Sequence, residues 1–278
     1  MGSDKDRYFQ NAEVFARETS PLFNFVNKYV DKKGIIFDVG GNIGLTAIAM
    51  SFASPESKII SFEPSPYNAS LFIENTKQNN HIEIFQTGLS NKKGNLSFVI
   101  PANGANAHVA TDNYQYSNHP DFHPTLVPIT TLDSFCKEES IDEQNISLIK
   151  IDVEGFEPNV LVGGANLFYR VQPWIWMEFN SVALNVAHGY SPMAFATGLF
   201  KSFEVMRLES NGELLKLDNP ACLVHDNIVF HKSIQDIILK PIKGTRMPTF
   251  EEFTLPKTVC DELNSLRSKK YKAKGKKS

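Results

Sequence analysis

Short apolar runs alternate with helix-compatible stretches from residue 35 onward. The runs are IIFDV (35–39), KIISFE (58–63), IEIFQTGL (82–89), SLIKIDV (147–153) and WIWMEF (174–179). Because apolar residues occupy both alternate positions of each run, the runs predict strands that are buried on both faces, as in a parallel sheet. Helices are predicted between them at 45–53, 67–79, 132–139, 157–169 and 192–201. The alternation predicts an α/β doubly wound fold with helices on both faces of the sheet.

The chain divides into three parts. Residues 1–33 are expected to form a helical segment, residues 34–232 the α/β domain, and residues 233–278 a C-terminal extension with a basic tail. Two further strands are predicted at 203–209 and 227–232, and the turn signal SNGE between them fits an antiparallel end to the sheet. A long stretch without apolar periodicity, 101–124, indicates a functional lid or an irregular surface loop.

A glycine-rich turn follows the first predicted strand. Its spacing is D-x-G-x-N-x-G, from Asp38 to Gly44, and Glu63 ends the second strand 19 residues later. Glycines allow a sharp turn and a close approach of backbone N–H groups to a ligand. An acid at the end of the second strand can accept hydrogen bonds from a ribose diol. Because the G-x-G-x-x-G fingerprint of dinucleotide dehydrogenases is missing, the pattern favours S-adenosylmethionine as the cofactor.

Acidic residues gather at the ends of the fourth and fifth strands. Asp152 and Glu154 follow the fourth strand, and Glu178 lies at the end of the fifth. Ligands of open α/β sheets bind beyond the carboxyl ends of the strands, so these acids should face the cofactor and substrate. The alternative is structural: Lys150 pairs with a carboxylate, and Glu157 favours the start of the next helix.

The histidines provide weaker candidates. His108 in the long loop is a candidate base or substrate contact, and His188 beyond the fifth strand is similar. His119 and His123 have metal-like spacing, but the proline that follows each of them argues against a helix and hence a zinc pair. Three widely spaced cysteines predict neither a disulfide framework nor a zinc cluster.

Charge and hydropathy limit the partners. The net charge is −3, but residues 267–278 contain seven basic residues and no acids, so the rest of the chain carries about −10. A net-acidic body argues against nucleic acid as the main partner. The tail is expected to be solvated, with a weak contact to an anionic surface as the alternative. No apolar run is long enough for a membrane span and no secretory signal is evident, so a cytoplasmic location is expected.

Six segments together resemble the FkbM family of S-adenosylmethionine-dependent methyltransferases. They are FDVGGNIG, SFEPSP, TGLSNKKGNLSF, ITTLDSF, LIKIDVEGFEPNVLVGG and WIWMEF, within residues 34–231. The resemblance implies a Rossmann-like class I methyltransferase fold, with a seven-stranded, mostly parallel sheet whose last strand is antiparallel. It also implies methylation of a hydroxyl oxygen on a saccharide or natural-product acceptor.

The resemblance also assigns cofactor contacts. Asp38, Gly40, Asn42 and Gly44 would hold the methionine end of S-adenosylmethionine, and Glu63 its ribose hydroxyls. Pro64 and Ser65 would shape the adenosine pocket, and Thr87, Gly88 and Leu89 would lie along the adenine. The assignments for Asp38 to Ser65 agree with the reasoning from the residues themselves, whereas those for Thr87 to Leu89 rest on the resemblance alone.

Methyl transfer to an alcohol requires removal of the acceptor proton. Our hypothesis is that one of Asp152, Glu154 and Glu178 acts as general base while the others orient the acceptor, with His108 as a further candidate. A Mg²⁺ ion held by the carboxylates is the alternative. Two other functions stay open at this point: an NAD(P)-dependent oxidoreductase of similar fold, and a non-catalytic cofactor-binding module. The oligomeric state and the acceptor are not predicted.

Overall fold

A computed structural model describes residues 20–100, 108–109, 123–224 and 234–254. Its strands are β1 (Ile35–Val39), β2 (Lys58–Phe62), β3 (Ile82–Phe85), β4 (Gly88–Leu89), β5 (Gly94–Ile100), β6 (His108–Val109), β7 (His123–Thr130), β8 (Ile146–Ile151), β9 (Trp174–Asn180), β10 (Phe203–Leu208), β11 (Leu214–Lys216) and β12 (Ile234–Pro241). Its α-helices are α1 (Pro21–Tyr29), α2 (Leu45–Ala53), α3 (Pro66–Thr76), α4 (Leu132–Glu138), α5 (Glu157–Gly163), α6 (Ala165–Val171), α7 (Pro192–Ser202) and α8 (Phe250–Phe253). A 3₁₀ turn at Glu143–Asn145 precedes β8, and a π-helix at Ala183–Ala187 follows β9.

The main sheet has eight strands in the order β11-β10-β12-β9-β8-β1-β2-β3. The five strands from β3 to β9 are parallel, whereas β12 runs antiparallel to both β9 and β10. Strand β11, which the seven-stranded expectation did not include, adds an antiparallel hairpin at the β10 edge. The predicted α/β fold, with a mostly parallel sheet and an antiparallel last strand, is therefore confirmed.

Successive residues of the central strands point into two separate cores. Ile36 contributes to the core on one face, together with Phe25 of α1 and Met50 of α2. Phe37 contributes to the core on the other face, with Phe135 of α4 and Leu199 of α7. Strand geometry sends neighbouring side chains to opposite faces, which explains why these strands are apolar at every position. The molecule therefore has three layers. The carboxyl ends of the parallel strands lie along one edge of the main sheet, where open α/β sheets bind their ligands.

A second sheet of four strands, in the order β4-β7-β5-β6, lies beside the main sheet. The apolar run at 82–89 thus splits between the two sheets, because β3 pairs with β2 and β4 pairs with β7. The single helix predicted at 157–169 is also divided, between α5 and α6. A Cβ on Gly163 would lie 2.0 Å from the Ser90 carbonyl oxygen, so the helix approaches β4 too closely for any larger residue.

The structure describes only part of each end of the chain. Residues 1–19 lie outside the described ranges, and α1 is the described part of the predicted N-terminal helical segment. Residues 227–232, predicted as a strand, also lie outside them. Strand β12 lies at Ile234–Pro241, within the segment assigned to a C-terminal extension. The predicted turn at 210–213 connects β10 to β11. Within the described ranges, no helix combines the length and apolarity needed to cross a bilayer.

Candidate functional site

The glycine turn after β1 is pressed against the end of β8. Gly40 has φ +81°, and a Cβ there would lie 1.9 Å from the carbonyl oxygen of Asp152. The N–H groups of Gly40 and Gly41 both donate to the Phe62 carbonyl at 3.0 Å, which ties the turn to the end of β2. Only glycine satisfies both the dihedral angle and the close contact. The turn is therefore positioned by backbone contacts with both neighbouring strands.

Glu63 connects the glycine turn to the start of α3. Its Oε2 accepts the Asn42 N–H at 2.9 Å, and its Oε1 accepts the Ser65 N–H at 2.8 Å. Asn42 has φ +46°, an uncommon conformation for a residue other than glycine. Burial raises the pKa of Glu63 to about 7 despite these two backbone bonds. A ligand that donates hydrogen bonds to this carboxylate would favour its charged form.

Beneath the turn lies a buried ion pair. Lys150 Nζ is 3.3 Å from Asp38 Oδ1 and 3.5 Å from Asp152 Oδ2, and it donates to the Gly40 carbonyl at 2.9 Å. Asp38 also accepts a hydrogen bond from Thr46 Oγ1 at 3.1 Å. Although burial disfavours its charge, the carboxylates of Asp38 and Asp152 raise the pKa of Lys150 above its usual value. Lys150 therefore links the turn to the acidic end of β8.

An open cleft runs along the carboxyl ends of β1, β2 and β8. It contains about 1010 Å³ of space, a volume that includes the solvent at its open mouth. Its lining residues are Val39, Gly40, Gly41, Asn42, Ile43, Leu45, Thr46, Phe62, Glu63, Pro64, Asn68, Gly88, Leu89, Leu96, Phe98, Ile129, Lys150, Asp152, Val153, Glu154 and Phe156. One wall is polar and contains the turn and the acids. The second sheet supplies an apolar wall through Leu96, Phe98 and Ile129.

Carboxylates dominate the charge at the β8–β9 edge. Asp152 and Glu154 line the cleft, and Glu178 lies one strand further along the sheet. Burial, followed by the negative charge of Asp152, raises the pKa of Glu154 to about 7. Partial burial, followed by the charges of Asp152 and Glu154, raises the pKa of Glu178 well above its usual value. Glu178 is therefore protonated at neutral pH, whereas Glu154 titrates there.

The segment from Asp152 to Glu157 forms a compact loop. Glu157 is fully buried, and its Oε1 accepts the N–H of Val153 at 3.1 Å and that of Gly155 at 3.2 Å. His188 Nε2 lies 3.1 Å from the carbonyl oxygen of Glu154. The His188 ring stacks on Tyr190, with centroids 5.4 Å apart. The loop is therefore bonded both to its own helix and to the segment after the π-helix.

The structure brings together part of the predicted set. Eight predicted residues line the cleft: Gly40, Asn42, Glu63, Pro64, Gly88, Leu89, Asp152 and Glu154. Five others are not among the residues that line it. Asp38 lies under the turn, and a Cβ on Gly44 would face Phe72 and Thr76. Ser65 Oγ caps α3, Thr87 Oγ1 donates to the Pro128 carbonyl, and Glu178 Oε2 accepts from Asn180.

The candidate histidines of the long loop lie mostly outside the described part of the molecule. His108 lies in β6, opposite Val99 of β5, and its imidazole is outside the described part of the molecule. His119 lies outside the described ranges, and so does the side chain of His123. Among the described residues, no three His, Cys, Asp or Glu side chains are grouped so as to hold a metal ion.

Sequence reasoning missed four residues of this site. Asn68 lines the cleft, and its buried Oδ1 has no hydrogen-bond partner within the described ranges. Asp236 lies opposite Glu178 in the β9–β12 register and adds a carboxylate to the same edge. Leu96 and Phe98 form the apolar wall, and their alternation in LSF was the available signal. For Asp236, the signal was an acid within the apolar run IQDIIL.

The family model of the methyltransferase FkbM domain matches residues 38–211 of this chain. The matched range contains the glycine turn, Glu63, the acids of β8 and β9, and most of both sheets. The chain belongs to the FkbM methyltransferase family. The resemblance noted from the sequence segments is thus confirmed, and membership implies S-adenosylmethionine as the methyl donor.

Two curated relatives extend this result. The FkbM-family chain is 27% identical over 183 residues to the 2-O-methyltransferase NoeI of Sinorhizobium fredii, covering 62% of this chain and 73% of the relative. It is 29% identical over 166 residues to the hexuronic acid methyltransferase AglP of Haloferax volcanii, covering 58% and 59% of the two chains. This chain thus matches less than two thirds of the length of AglP.

Among solved structures, a methyltransferase FkbM from Methylobacillus flagellatus KT is similar to this FkbM-family chain. The match covers 86% of this chain and 60% of that one, with 13% identity and a TM-score of 0.42.

The cleft contains groups that complement the parts of S-adenosylmethionine. The carboxylate of Glu63 has lone pairs left to accept hydrogen bonds from ribose hydroxyls. The apolar wall from the second sheet offers a surface for a flat base. Asp152 and Glu154 provide negative charge, which is complementary to a sulfonium cation. The residues present therefore fit the cofactor that the family implies.

Proposed function

We propose that this protein is an S-adenosylmethionine-dependent O-methyltransferase that methylates a hydroxyl group of a saccharide or a related natural product. The proposal depends most on one observation. A cleft whose glycine turn is bonded to Glu63 opens directly onto the carboxylates of Asp152 and Glu154. A nucleoside site and a candidate proton acceptor thus share one cavity, as methyl transfer to an alcohol requires.

Cofactor binding is assigned to the turn and to the second strand. Asn42 and Gly40 would contact the methionine end, and the carboxylate of Glu63 would accept from the ribose hydroxyls together with Asn68 Oδ1. Gly88 and Leu89 would border the adenine, since both line the cleft beside Pro64. Asp38, Gly44 and Ser65 support the turn and α3 from behind. Thr87 would then act through its bond to the Pro128 carbonyl, which anchors β4 against β7.

The bound cofactor supplies an electrophilic methyl group on a cationic sulfur. The acceptor hydroxyl must lie in line with that methyl, because the displacement is direct and positioning supplies most of the acceleration. The cofactor would leave as S-adenosylhomocysteine, while a carboxylate of this chain would take the hydroxyl proton of the acceptor. Glu154 suits this role, because its pKa of about 7 leaves a useful fraction ionised at neutral pH.

Asp152 and Glu178 would orient the acceptor. The contact of Asp152 with Lys150 at 3.5 Å places it between the turn and the acceptor edge. Glu178, which carries a proton at neutral pH, is suited to donate a hydrogen bond to a sugar oxygen rather than to act as base. His108 is a further candidate for the base.

A saccharide acceptor is supported by the relatives and by the edge itself. The name of one relative specifies 2-O-methylation, and that of the other specifies hexuronic acid. Carboxyl groups form hydrogen bonds with sugar hydroxyls, as acceptors when ionised and as donors when protonated, and three of them, Asp152, Glu154 and Glu178, lie at neighbouring strand ends. The acidic body of the chain makes nucleic acid a poor acceptor.

Calorimetry and a transfer assay together test this proposal. The protein should bind S-adenosylhomocysteine and should not bind NAD or NADP. Incubation with labelled S-adenosylmethionine and a panel of neutral saccharides, uronic acids and lipid-linked glycans should add one methyl mass to at least one acceptor. Tight binding of NAD(P) without S-adenosylhomocysteine would indicate an oxidoreductase. Cofactor binding without transfer to any acceptor would indicate a binding module.

A further inference from the structure

Glu154 adopts a backbone conformation that glutamate rarely takes. Its φ is +55°, in the left-handed region, and the following Gly155 has φ +92°. Such a conformation persists only where the surrounding contacts fix it, and it is enriched at functional sites. The side chain of Glu154 lines the cleft beside Asp152. The local fold therefore holds Glu154 at the edge of the cleft in a conformation that costs energy.

Three hydrogen bonds hold the backbone on either side of Glu154. Glu157 Oε1 accepts the N–H groups of Val153 and Gly155 at 3.1 and 3.2 Å. On the other side of the loop, His188 Nε2 lies 3.1 Å from the Glu154 carbonyl, and donates to it in the tautomer with a proton on Nε2. The backbone around Glu154 is thus hydrogen-bonded both to α5, through Glu157, and to the segment after the π-helix, through His188.

Neither Glu157 nor His188 lines the cleft. Glu157 is completely buried, and its Oε2 has no hydrogen-bond partner among the described residues. Oε1 therefore accepts two hydrogen bonds, whereas Oε2 accepts none from the described residues. A buried polar atom without a hydrogen-bond partner destabilises the folded protein unless it serves another purpose. Close packing restricts the loop further, because a Cβ on Gly155 would lie 2.7 Å from the Ala183 backbone and 2.8 Å from the His188 ring.

We propose that Glu157 and His188 are positioning residues that hold Glu154 with its carboxylate facing the sulfonium end of the cleft. Neither residue would touch the cofactor or the acceptor. The proposal deepens the proposed function and rests on it, because it assumes that S-adenosylmethionine occupies the cleft. It predicts that weakening either contact changes the ratio of the dissociation constants for a cationic and a neutral ligand, even though no ligand contact is removed.

Two commercially available ligands make this measurable without knowledge of the acceptor. S-adenosylmethionine carries the sulfonium charge, and S-adenosylhomocysteine lacks it. Calorimetry at pH 8 gives the ratio of their dissociation constants for each variant. The Glu154→Gln substitution should weaken S-adenosylmethionine relative to S-adenosylhomocysteine by about fivefold, since it removes a charge near the sulfur. A residue with a purely structural role would change both affinities in parallel.

Matched substitutions separate the contacts from the side-chain volume. Glu157→Leu removes the acceptor for both N–H groups and should reproduce the ratio of Glu154→Gln. Glu157→Gln keeps an Oε1 acceptor and should retain the parent ratio. His188→Phe keeps a ring against Tyr190 but removes the bond to Glu154, and should shift the ratio in the same direction as Glu157→Leu. Thermal unfolding of each variant shows whether it folds.

The double variant Glu154→Gln/Glu157→Leu decides whether Glu157 acts through Glu154. We expect the ratio of the double variant to equal that of Glu154→Gln alone. The inference is overturned if Glu154→Gln leaves the ratio unchanged, if Glu157→Leu and His188→Phe both keep the parent ratio, or if the effects add. If the parent protein binds neither compound, the proposed function itself fails, and this inference fails with it.

Discussion

Glu63 bonds to the protein backbone through both of its carboxylate oxygens. These bonds fix the glycine turn and the start of α3 relative to each other, at 2.9 and 2.8 Å. Each oxygen has a second lone pair, which leaves the carboxylate able to accept from a ribose diol at the same time. One side chain thus shapes the cleft and offers the acceptor atoms for its ligand.

The Glu63→Gln substitution should therefore weaken cofactor binding strongly. Glutamine retains one acceptor oxygen, and its amide N–H₂ faces one of the two backbone donors. With the loss of charge-assisted bonds, the dissociation constant for S-adenosylhomocysteine should rise by about 10- to 100-fold. Calorimetry measures the change directly.

Glu83→Gln is the matched control for this experiment. Glu83 forms an exposed ion pair with Lys58 at 2.8 Å, remote from the cleft lining. Exposed pairs contribute little, so its affinity for S-adenosylhomocysteine should equal that of the parent. Equal affinities for parent and Glu63→Gln would contradict the assigned role of Glu63.

At this scale the sequence predicted which residues gather, but not all of their directions. Gly40, Asn42 and Glu63 could be placed because turns and strand ends of a parallel sheet share one edge. Asp38 shares that edge, yet its side chain turns beneath the turn toward Lys150. Thr87 was assigned by resemblance alone, which carries no information on side-chain direction.

Strands and helices place the site through their close approach at glycines. The turn after β1 can contact the end of β8 only because Gly40 has no Cβ. A second close approach lies at Gly163, where a Cβ would lie 2.0 Å from the Ser90 carbonyl oxygen of the neighbouring segment. Such contacts join residues that are distant in sequence, so the hydrophobic periodicity of the chain does not predict them. The bounds of β1 and α2, set by local patterns, were predicted at every residue.

Gly40→Ala tests the close approach of the turn. The new methyl group would overlap the Asp152 carbonyl oxygen, so the turn must move away from β8. We expect the variant to lose about 2–4 kcal/mol of unfolding free energy and most of its affinity for S-adenosylhomocysteine. Urea denaturation and calorimetry measure the two effects.

Gly244→Ala separates steric overlap from backbone strain. Gly244 has φ +76°, close to the +81° of Gly40, but a Cβ on Gly244 would have no other atom within 4 Å. The control should lose only about 1–2 kcal/mol, the cost of the left-handed conformation, and should bind normally. If both variants behaved alike, the contact with Asp152 would not matter.

Across the whole molecule, three layers place the ends of the parallel strands and their acids along one edge. The antiparallel β12 was expected as the last strand of the sheet, but its position at 234–241 was not, because the apolar run there also fits an extension. Asp236 reaches the acidic edge only through this strand. We therefore expect buried carboxyl groups near this edge to affect the free energy of unfolding of the whole protein.

Glu157 should make the stability of the protein depend on pH. Burial raises its pKa from 4.5 to about 8, so the folded protein retains a proton that the unfolded chain releases. The free energy of unfolding contributed by this group therefore falls as the pH rises from about 4.5 to 8. Glu157→Gln removes this term. Between pH 5 and 9, the parent should lose on the order of a few kcal/mol more than the variant in urea denaturation. Parallel curves would show that Glu157 is ionised in the folded protein.

The central claim is that a sulfonium nucleoside lies between the glycine turn and Glu63, with its reactive end toward Glu154. A crystal structure of the protein with S-adenosylhomocysteine tests it most directly. We predict both ribose hydroxyls within hydrogen-bond distance of the Glu63 carboxylate or Asn68 Oδ1, and the sulfur on the side of Asp152 and Glu154. A ligand bound elsewhere, or a ribose that makes no contact with Glu63, would contradict the account.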